Sequence, residues 1–160
     1  MVFKLPEEIE TPEQLAAAAY EIQRYADWLD SNKVRHKTGA PKLATQPALA
    51  PQSTAVLEAW QADHPADKPA LEELVTTLEG FQPPIIHITL VDIATPALLH
   101  KLVTWVRANG DPKTLVQLVA DSTIGGGVVI RTPNHLYDHS FRSQLLAHRS
   151  ALTKVIANVR

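Results

Sequence analysis

Residues 121–145 read DSTIGGGVVIRTPNHLYDHSFRSQL, and the role of Gly125, Gly126 and Gly127 in that stretch decides between two kinds of protein. A loop that cradles phosphate sets glycines at fixed offsets after a strand. It opens a helix N-terminus beyond them and commonly adds a lysine with serine or threonine. Here the glycines are contiguous, the β-branched run VVIR follows them, and no Gly-Lys-Ser/Thr is present. Glycine also permits positive φ and removes the side chain where two backbones must approach. The spacing therefore predicts a sharp, bulged connection between two strands, a structural device with no part in catalysis.

Composition narrows the field. At 160 residues, 45% hydrophobic and 20% charged, the chain has the profile of a globular protein of one medium domain or two small ones. A formal net charge of -2 gives no overall footprint for nucleic acid. The absence of cysteine excludes disulfides, thiolate metal sites and cysteine nucleophiles. The opening MVFKLPEEIETPEQL is acidic and lacks the apolar core of a signal peptide, and no apolar run is long enough to span a bilayer. A cytoplasmic chain without direct membrane insertion is expected.

The N-terminal region, residues 1–32, carries one strongly marked helix. Thr11 offers a capping hydroxyl, Pro12 suits the first helical position and Gln14 completes a capping box. Leu15, Ala18, Ala19, Ile22, Tyr25, Ala26 and Leu29 then recur at helical spacing to about Asn32. Burial within its own domain is the expected use of this face; if it grips a partner instead, Leu15, Ile22 and Leu29 are the positions that would do so. Residues 33–52 are interrupted by Pro41, Pro47 and Pro51 and made basic by Lys33, Arg35, Lys37 and Lys42, which reads as a linker or functional loop. Residues 53–82 predict two short helices, one capped by Ser53 and burying Val56, Leu57 and Trp60, the other capped by Asp67 and stopped by Gly80.

Pro83-Pro84 marks the main boundary, and residues 83–160 have a different rhythm. Residues 85–91, IIHITLV, predict a strand. Thr95-Pro96 opens a helix through Leu98, Leu99, Leu102, Val103 and Val106, closed by Asn109-Gly110. Residues 114–120 predict a second strand with Leu115, Gln117 and Val119 on one face. Residues 128–131 predict a third, and a turn at 132–135 leads to a short return at Leu136-Tyr137. A last helix is expected from about Ser140 to Asn158, with Leu145, Leu146, Leu152, Val155 and Ile156 as its apolar positions. The fold class is therefore α+β: an N-terminal helical segment followed by a small β-α-β-β-α domain.

Other chemistry is thinly signalled. Asp138-His139-Ser140 places an acid, an imidazole and a hydroxyl in consecutive positions, whereas triads are assembled across a fold. Asp138 or Ser140 is better placed to cap the final helix. His135 and His139 fall near one another without a third ligand, so no metal is expected. No catalytic residue and no cofactor are assigned. Trp28, Trp60 and Trp105 all lie on expected helices, where packing is their ordinary role.

The residues that fail as a phosphate loop match another pattern. Asp121, Ile124, Gly126, Gly127, Val128, Ile130 and Arg131, followed by Asp138, Ser140, Phe141, Arg142 and Leu145, resemble the C-terminal signature of the F-type ATP synthase δ subunit, the oligomycin-sensitivity-conferring protein of mitochondria. The resemblance covers residues 84–157 and includes the preceding strand, helix and strand. Ala120 and Pro133 depart from the pattern. Residues 1–82 also offer far less than the six-helix bundle that precedes this domain in the family.

The resemblance implies a non-catalytic subunit that joins the catalytic head to the peripheral stalk. It would lie in the cytoplasm, peripheral to the inner face of the cell membrane as part of a complex. The implied partners are the stalk b subunit and, through the N-terminal half, the α subunits of the head. Leu145, Leu146, Leu152, Val155 and Ile156 are expected to serve mainly the domain's own core, with some left to hold a stalk helix inside a polar rim of Arg142, Arg149 and Lys154. Two alternatives stand beside this reading: a separate adaptor that keeps the δ-type fold, and a small phosphate- or nucleotide-binding enzyme that uses the glycines.

Overall fold

The computed structural model describes residues 5–43 and 45–149. The chain forms two compact units, Met1–Pro83 and Pro84–Arg160.

In the first unit, helix α1 (Pro12–Lys37) starts where two reciprocal hydrogen bonds satisfy its first amides. The Gln14 N–H donates to Thr11 Oγ1 at 3.2 Å, and the Thr11 N–H donates to Gln14 Oε1 at 3.1 Å. The helix was expected to end near Asn32; it continues for more than a turn, through Lys37. Its end is set by a Schellman turn, in which the Ala40 N–H reaches the Arg35 carbonyl at 2.9 Å and Gly39 takes φ +72°. Arg35, His36 and Lys37 sit in the last turn, where cations offset the negative end of the helix dipole.

The expected linker over 33–52 thus shrinks, and what remains is tied down. The Leu43 N–H donates to Asn32 Oδ1 at 2.7 Å, Arg35 Nη1 to the Pro41 carbonyl at 3.3 Å, and the Ala50 N–H to Glu21 Oε2 at 2.8 Å. Helix α2 (Pro51–Gln61) begins ahead of Ser53, which is not its cap. Pro51 supplies the pre-set φ of a first helical residue, so Ser53 falls inside the helix and is buried. Helix α3 (Lys68–Glu79) is capped by Asp67, whose carboxylate accepts from the Ala70 N–H at 3.1 Å. Gly80 closes it at an ordinary φ of -78°.

Ala18, Ala19, Ile22 and Ala26 of α1 form the floor of this unit's core. Val56, Leu57 and Trp60 from α2 and Leu71, Leu74, Val75 and Leu78 from α3 pack over them, and Ile9, ahead of α1, is buried as well. Alanines on α1 let helix axes approach closely, which suits a small helical unit with few large side chains. On the surface, Lys68 bridges to Asp27 at 3.0 Å and lies 3.7 Å from Glu72.

The second unit is an α+β layer pair. Strands β1 (Ile85–Leu90) and β2 (Leu115–Ala120) are parallel, joined by helix α4 (Pro96–Asn109). Strand β3 (Val128–Arg131) runs antiparallel to β1, and β4 (Leu136–Asp138) returns beside β3, giving the order β2-β1-β3-β4. A short 3-10 turn (Ser122–Ile124) precedes β3, and helix α5 (Phe141–Ala147) follows β4.

Register decides which residues reach the core. Ile86 pairs with Val116 and Ile88 with both Leu118 and Ile130, so these side chains share the face that packs on Val103 and Val106 of α4. In β2 the core face is therefore Val116 and Leu118. Leu115, Gln117 and Val119 share the other face, as the sequence pattern indicates, and Leu115 is fully buried there too. Two helical expectations also change. Leu98 is exposed, and Trp105 is 63% exposed on the outer side of α4, because Val103 and Val106 occupy the stripe facing the sheet.

Replacing Thr11 by Ala removes the reciprocal cap and lowers the stability of the first unit by about 1 kcal/mol. The urea midpoint followed by Trp28 and Trp60 fluorescence, in a Trp105→Phe background, measures this. An unchanged midpoint would show that the cap contributes nothing.

Candidate functional site

The stretch that opened the question folds into a single knot in the second unit. Asp121 caps the 3-10 turn, its carboxylate accepting from the Thr123 N–H at 2.9 Å, and Ile124 at the end of that turn is buried. Gly125, Gly126 and Gly127 then take φ of +71°, +135° and +79° and deliver the chain straight into β3. Positive φ is only part of what these positions require. The Gly126 carbonyl accepts from the Phe141 N–H at 3.0 Å, and the Val128 carbonyl accepts from the His139 N–H at 2.9 Å. The backbone leaving β4 is thus laid directly on the glycine loop.

That approach leaves no room for a side chain at Gly126 or Gly127. A Cβ on Gly127 would run into the His139 carbonyl oxygen, and one on Gly126 would sit 2.7 Å from the Phe141 ring. A Cβ on Gly125 would find its nearest neighbour at 3.9 Å.

Across the loop, Ser140 is 2% exposed and caps α5, accepting from the Ser143 N–H at 3.1 Å. Asp138 accepts from the Ser140 N–H at 2.9 Å. Both aspartates are held below the usual carboxylate range. For Asp138 the main cause is hydrogen bonding from Ser140, side chain before backbone, with His139 and Arg142 adding smaller attractions. For Asp121 it is hydrogen bonding from Thr123, in the same order, with Arg142 again contributing. The structure thus brings together Asp121, Ile124, Gly126, Gly127, Asp138, Ser140 and Arg142. It sets Arg131 apart, at the far end of β3, about 10 Å along the strand from the loop, paired with His87 and Leu136. Asp138, His139 and Ser140 serve here as backbone ties and a cap. Among the described residues no cluster of three potential ligands forms that would hold a metal.

What the knot presents outward is helix α5. Leu145 is 57% and Leu146 61% exposed, with Phe141 exposed beside them. The expectation that these leucines serve the domain's core is corrected: α5 is anchored through Ser140 and its N-terminal backbone, not through its apolar side chains, none of which is buried. Phe141, Gln144, Leu145 and His148 line an open, largely apolar groove of about 340 Å³. Gln144 and His148 escaped the sequence reading, although Phe141, Leu145 and His148 recur at helical spacing and signal a common face. Arg149 is exposed at the end of the same segment. The expected continuation to Asn158, with Leu152, Val155 and Ile156, lies outside the described residues.

In the first unit the possible partner face is corrected in the other direction. Leu15 and Ile22 are buried under α2 and α3, so they serve that unit's own core. Leu29 is half-buried and lines a polar cleft with Asp30, Lys33, Lys68 and Glu72. Among the described residues no helix is long and apolar enough to cross a membrane. No family model matches the chain, and no curated protein matches it.

Two outcomes follow from this geometry. Gly125→Ala costs about 1 kcal/mol, the usual penalty for a left-handed alanine. Gly127→Ala costs about 3 kcal/mol, because a clash with backbone adds to the penalty. Urea denaturation followed by circular dichroism ranks them, and equal costs would refute the close approach. The depressed carboxyls of Asp121 and Asp138 contribute stability that is full above the unfolded value near pH 4 and is lost as pH falls through the lower folded values. Asp138→Asn therefore flattens the acid limb of the melting-temperature-against-pH profile, and an acid limb as steep as the parent's counts against that role.

Proposed function

We propose that this chain is a δ-like, non-catalytic subunit of an F-type ATP synthase, linking the catalytic head to the peripheral stalk. The observation that carries the reading is the pairing of the δ-type motif with an outward apolar helix. The motif residues knit the glycine loop to the start of α5, and α5 offers Phe141, Leu145 and Leu146 to solvent instead of to a core. Clustered exposed apolar side chains on a rigidly anchored helix are the mark of a docking surface.

The physical task suits such a part. Rotor torque does work only if the head is held still, which calls for stiff joints between packed helices and no reacting group. In this reading α5 receives the stalk b subunit, and the protein sits in the cytoplasm at the inner face of the cell membrane as part of the complex. The first unit is the less familiar half. Among its described residues are three helices, so engagement of α-subunit tails by a larger bundle does not carry over from the resemblance.

A labelled peptide from the C-terminus of the same organism's b subunit, titrated with the full chain, tests the proposal by fluorescence anisotropy. Saturable binding is expected. Leu145→Asp weakens it by about a hundredfold, because a buried carboxylate replaces an apolar contact worth about 1.5–3 kcal/mol. Circular dichroism stays unchanged, since Leu145 is exposed in the free protein. Failure of the folded full chain to bind would remove the synthase assignment and leave a borrowed fold in an adaptor.

A further inference from the structure

The first unit carries a charge asymmetry that its fold concentrates. Between Asp30 and Glu58 the sequence has no acid, yet it holds Lys33, Arg35, Lys37 and Lys42, with His36 among them. The structure gathers these residues at one end of α1. The Leu43 N–H donates to Asn32 Oδ1 and Arg35 Nη1 to the Pro41 carbonyl, so residues 41–43 fold back beside the Asn32–Arg35 side of the helix and bring Lys42 with them. At about 100° per residue, Asn32 and His36 lie along one line, with Lys33 and Lys37 to one side of it and Arg35 to the other.

Lys33, His36, Lys37 and Lys42 are exposed and Arg35 is half-buried. Asp27 and Asp30, earlier on α1, face Lys68 at 3.0 and 4.0 Å, and Lys33 borders the cleft that holds Asp30 and Lys68. Among the described residues Lys33, Lys37 and Lys42 make no ion pair. Lys33 and Lys37 are also like charges at i,i+4, an arrangement that costs a helix stability unless an opposite charge offsets it.

We propose that this end of α1 binds an acidic protein segment in extended form, laid along the Asn32–His36 line with cations meeting its carboxylates from both sides. Spacing and charge carry the inference. Lys33 and Lys37 are about 6 Å apart along the helix axis. Alternate side chains of an extended chain are about 6.6 Å apart, so acids at every second residue match. Nucleic acid fits less well. No aromatic residue between Trp28 and Trp60 could stack on a base, and the one arginine of the patch commits a guanidinium N–H to Pro41. A bilayer fits less well too, because the exposed Val34 and Leu43 lie on opposite sides of α1 and cannot enter one membrane plane together. The inference does not rest on the synthase reading, which concerns α5.

The full chain, titrated with a labelled peptide of alternating glutamate and serine and with its glutamine counterpart, tests this by fluorescence anisotropy. The glutamate peptide is expected to bind at least about tenfold more tightly at about 0.05 M salt, with the difference gone by about 0.5 M. Lys33→Gln combined with Lys37→Gln weakens it about fivefold, and Lys42→Gln about twofold. Lys101→Gln, at an exposed position of the second unit, leaves it unchanged. Circular dichroism stays that of the parent throughout, since every substituted lysine is exposed.

Equal binding of the two peptides overturns the proposal, as does binding of neither. So does an equal loss with Lys101→Gln, which would make net charge and not this site responsible. Tighter binding to phosphatidylglycerol vesicles or to duplex DNA than to the glutamate peptide overturns it in favour of that surface. The b-subunit titration reads α5, and its outcome separates the failure of either proposal from that of the other.

Discussion

The second unit is organised around the contact between the glycine loop and the backbone of residues 139–141. A four-stranded sheet with one covering helix has a small core, and the cluster between them has only Val103, Val106, Ile88 and Val116 as its buried members. Core packing alone does not fix where the chain goes after β4. Direction comes from two backbone hydrogen bonds, Phe141 to Gly126 and His139 to Val128, which are possible only because nothing projects from the loop. Asp121 and Asp138 then satisfy amides on either side of that contact, and Ser140 starts the helix at the point the contact defines. Loop, caps and helix orientation are therefore one arrangement.

Such an arrangement allows a helix to be rigid and apolar on its outside at the same time. Most surface helices are held by the apolar stripe they bury. Helix α5 buries none, so its placement depends on its first residues and its outer side chains are available. The cost is sensitivity: a single methyl at Gly127 bears on the whole C-terminal half of the unit.

Much of this was legible in the sequence, and the misreadings have specific causes. The capping box at Thr11 and Gln14, the cap at Asp67 and the strand-forming runs are local signals, and local structure follows them. The end of α1 was also written locally, in Gly39 as the left-handed residue after the cap, but prolines and basic residues drew the boundary too early. Ser53 looked like a cap because the proline before it was weighed as a breaker when it was a first helical residue. The inward face of β2 was not readable from LVQLVA, which is apolar on both faces; pairing with Ile86 and Ile88 settles it. The exposure of Leu145, Leu146 and Trp105 was beyond reach for a different reason. An apolar helical stripe has the same pattern whether it fills a core or faces water.

The position of β2 at the edge of the sheet has a further consequence. LVQLVA is uncharged, β-prone and free of proline, the composition that recruits foreign strands and seeds cross-β aggregates. It is bracketed by Lys113 on one side and Asp121 on the other. Charges at these flanks act as gatekeepers, raising the cost of stacking copies of the segment in register. Asp121 therefore has two duties: it ties the turn before the glycines, and it guards the strand that comes before that turn.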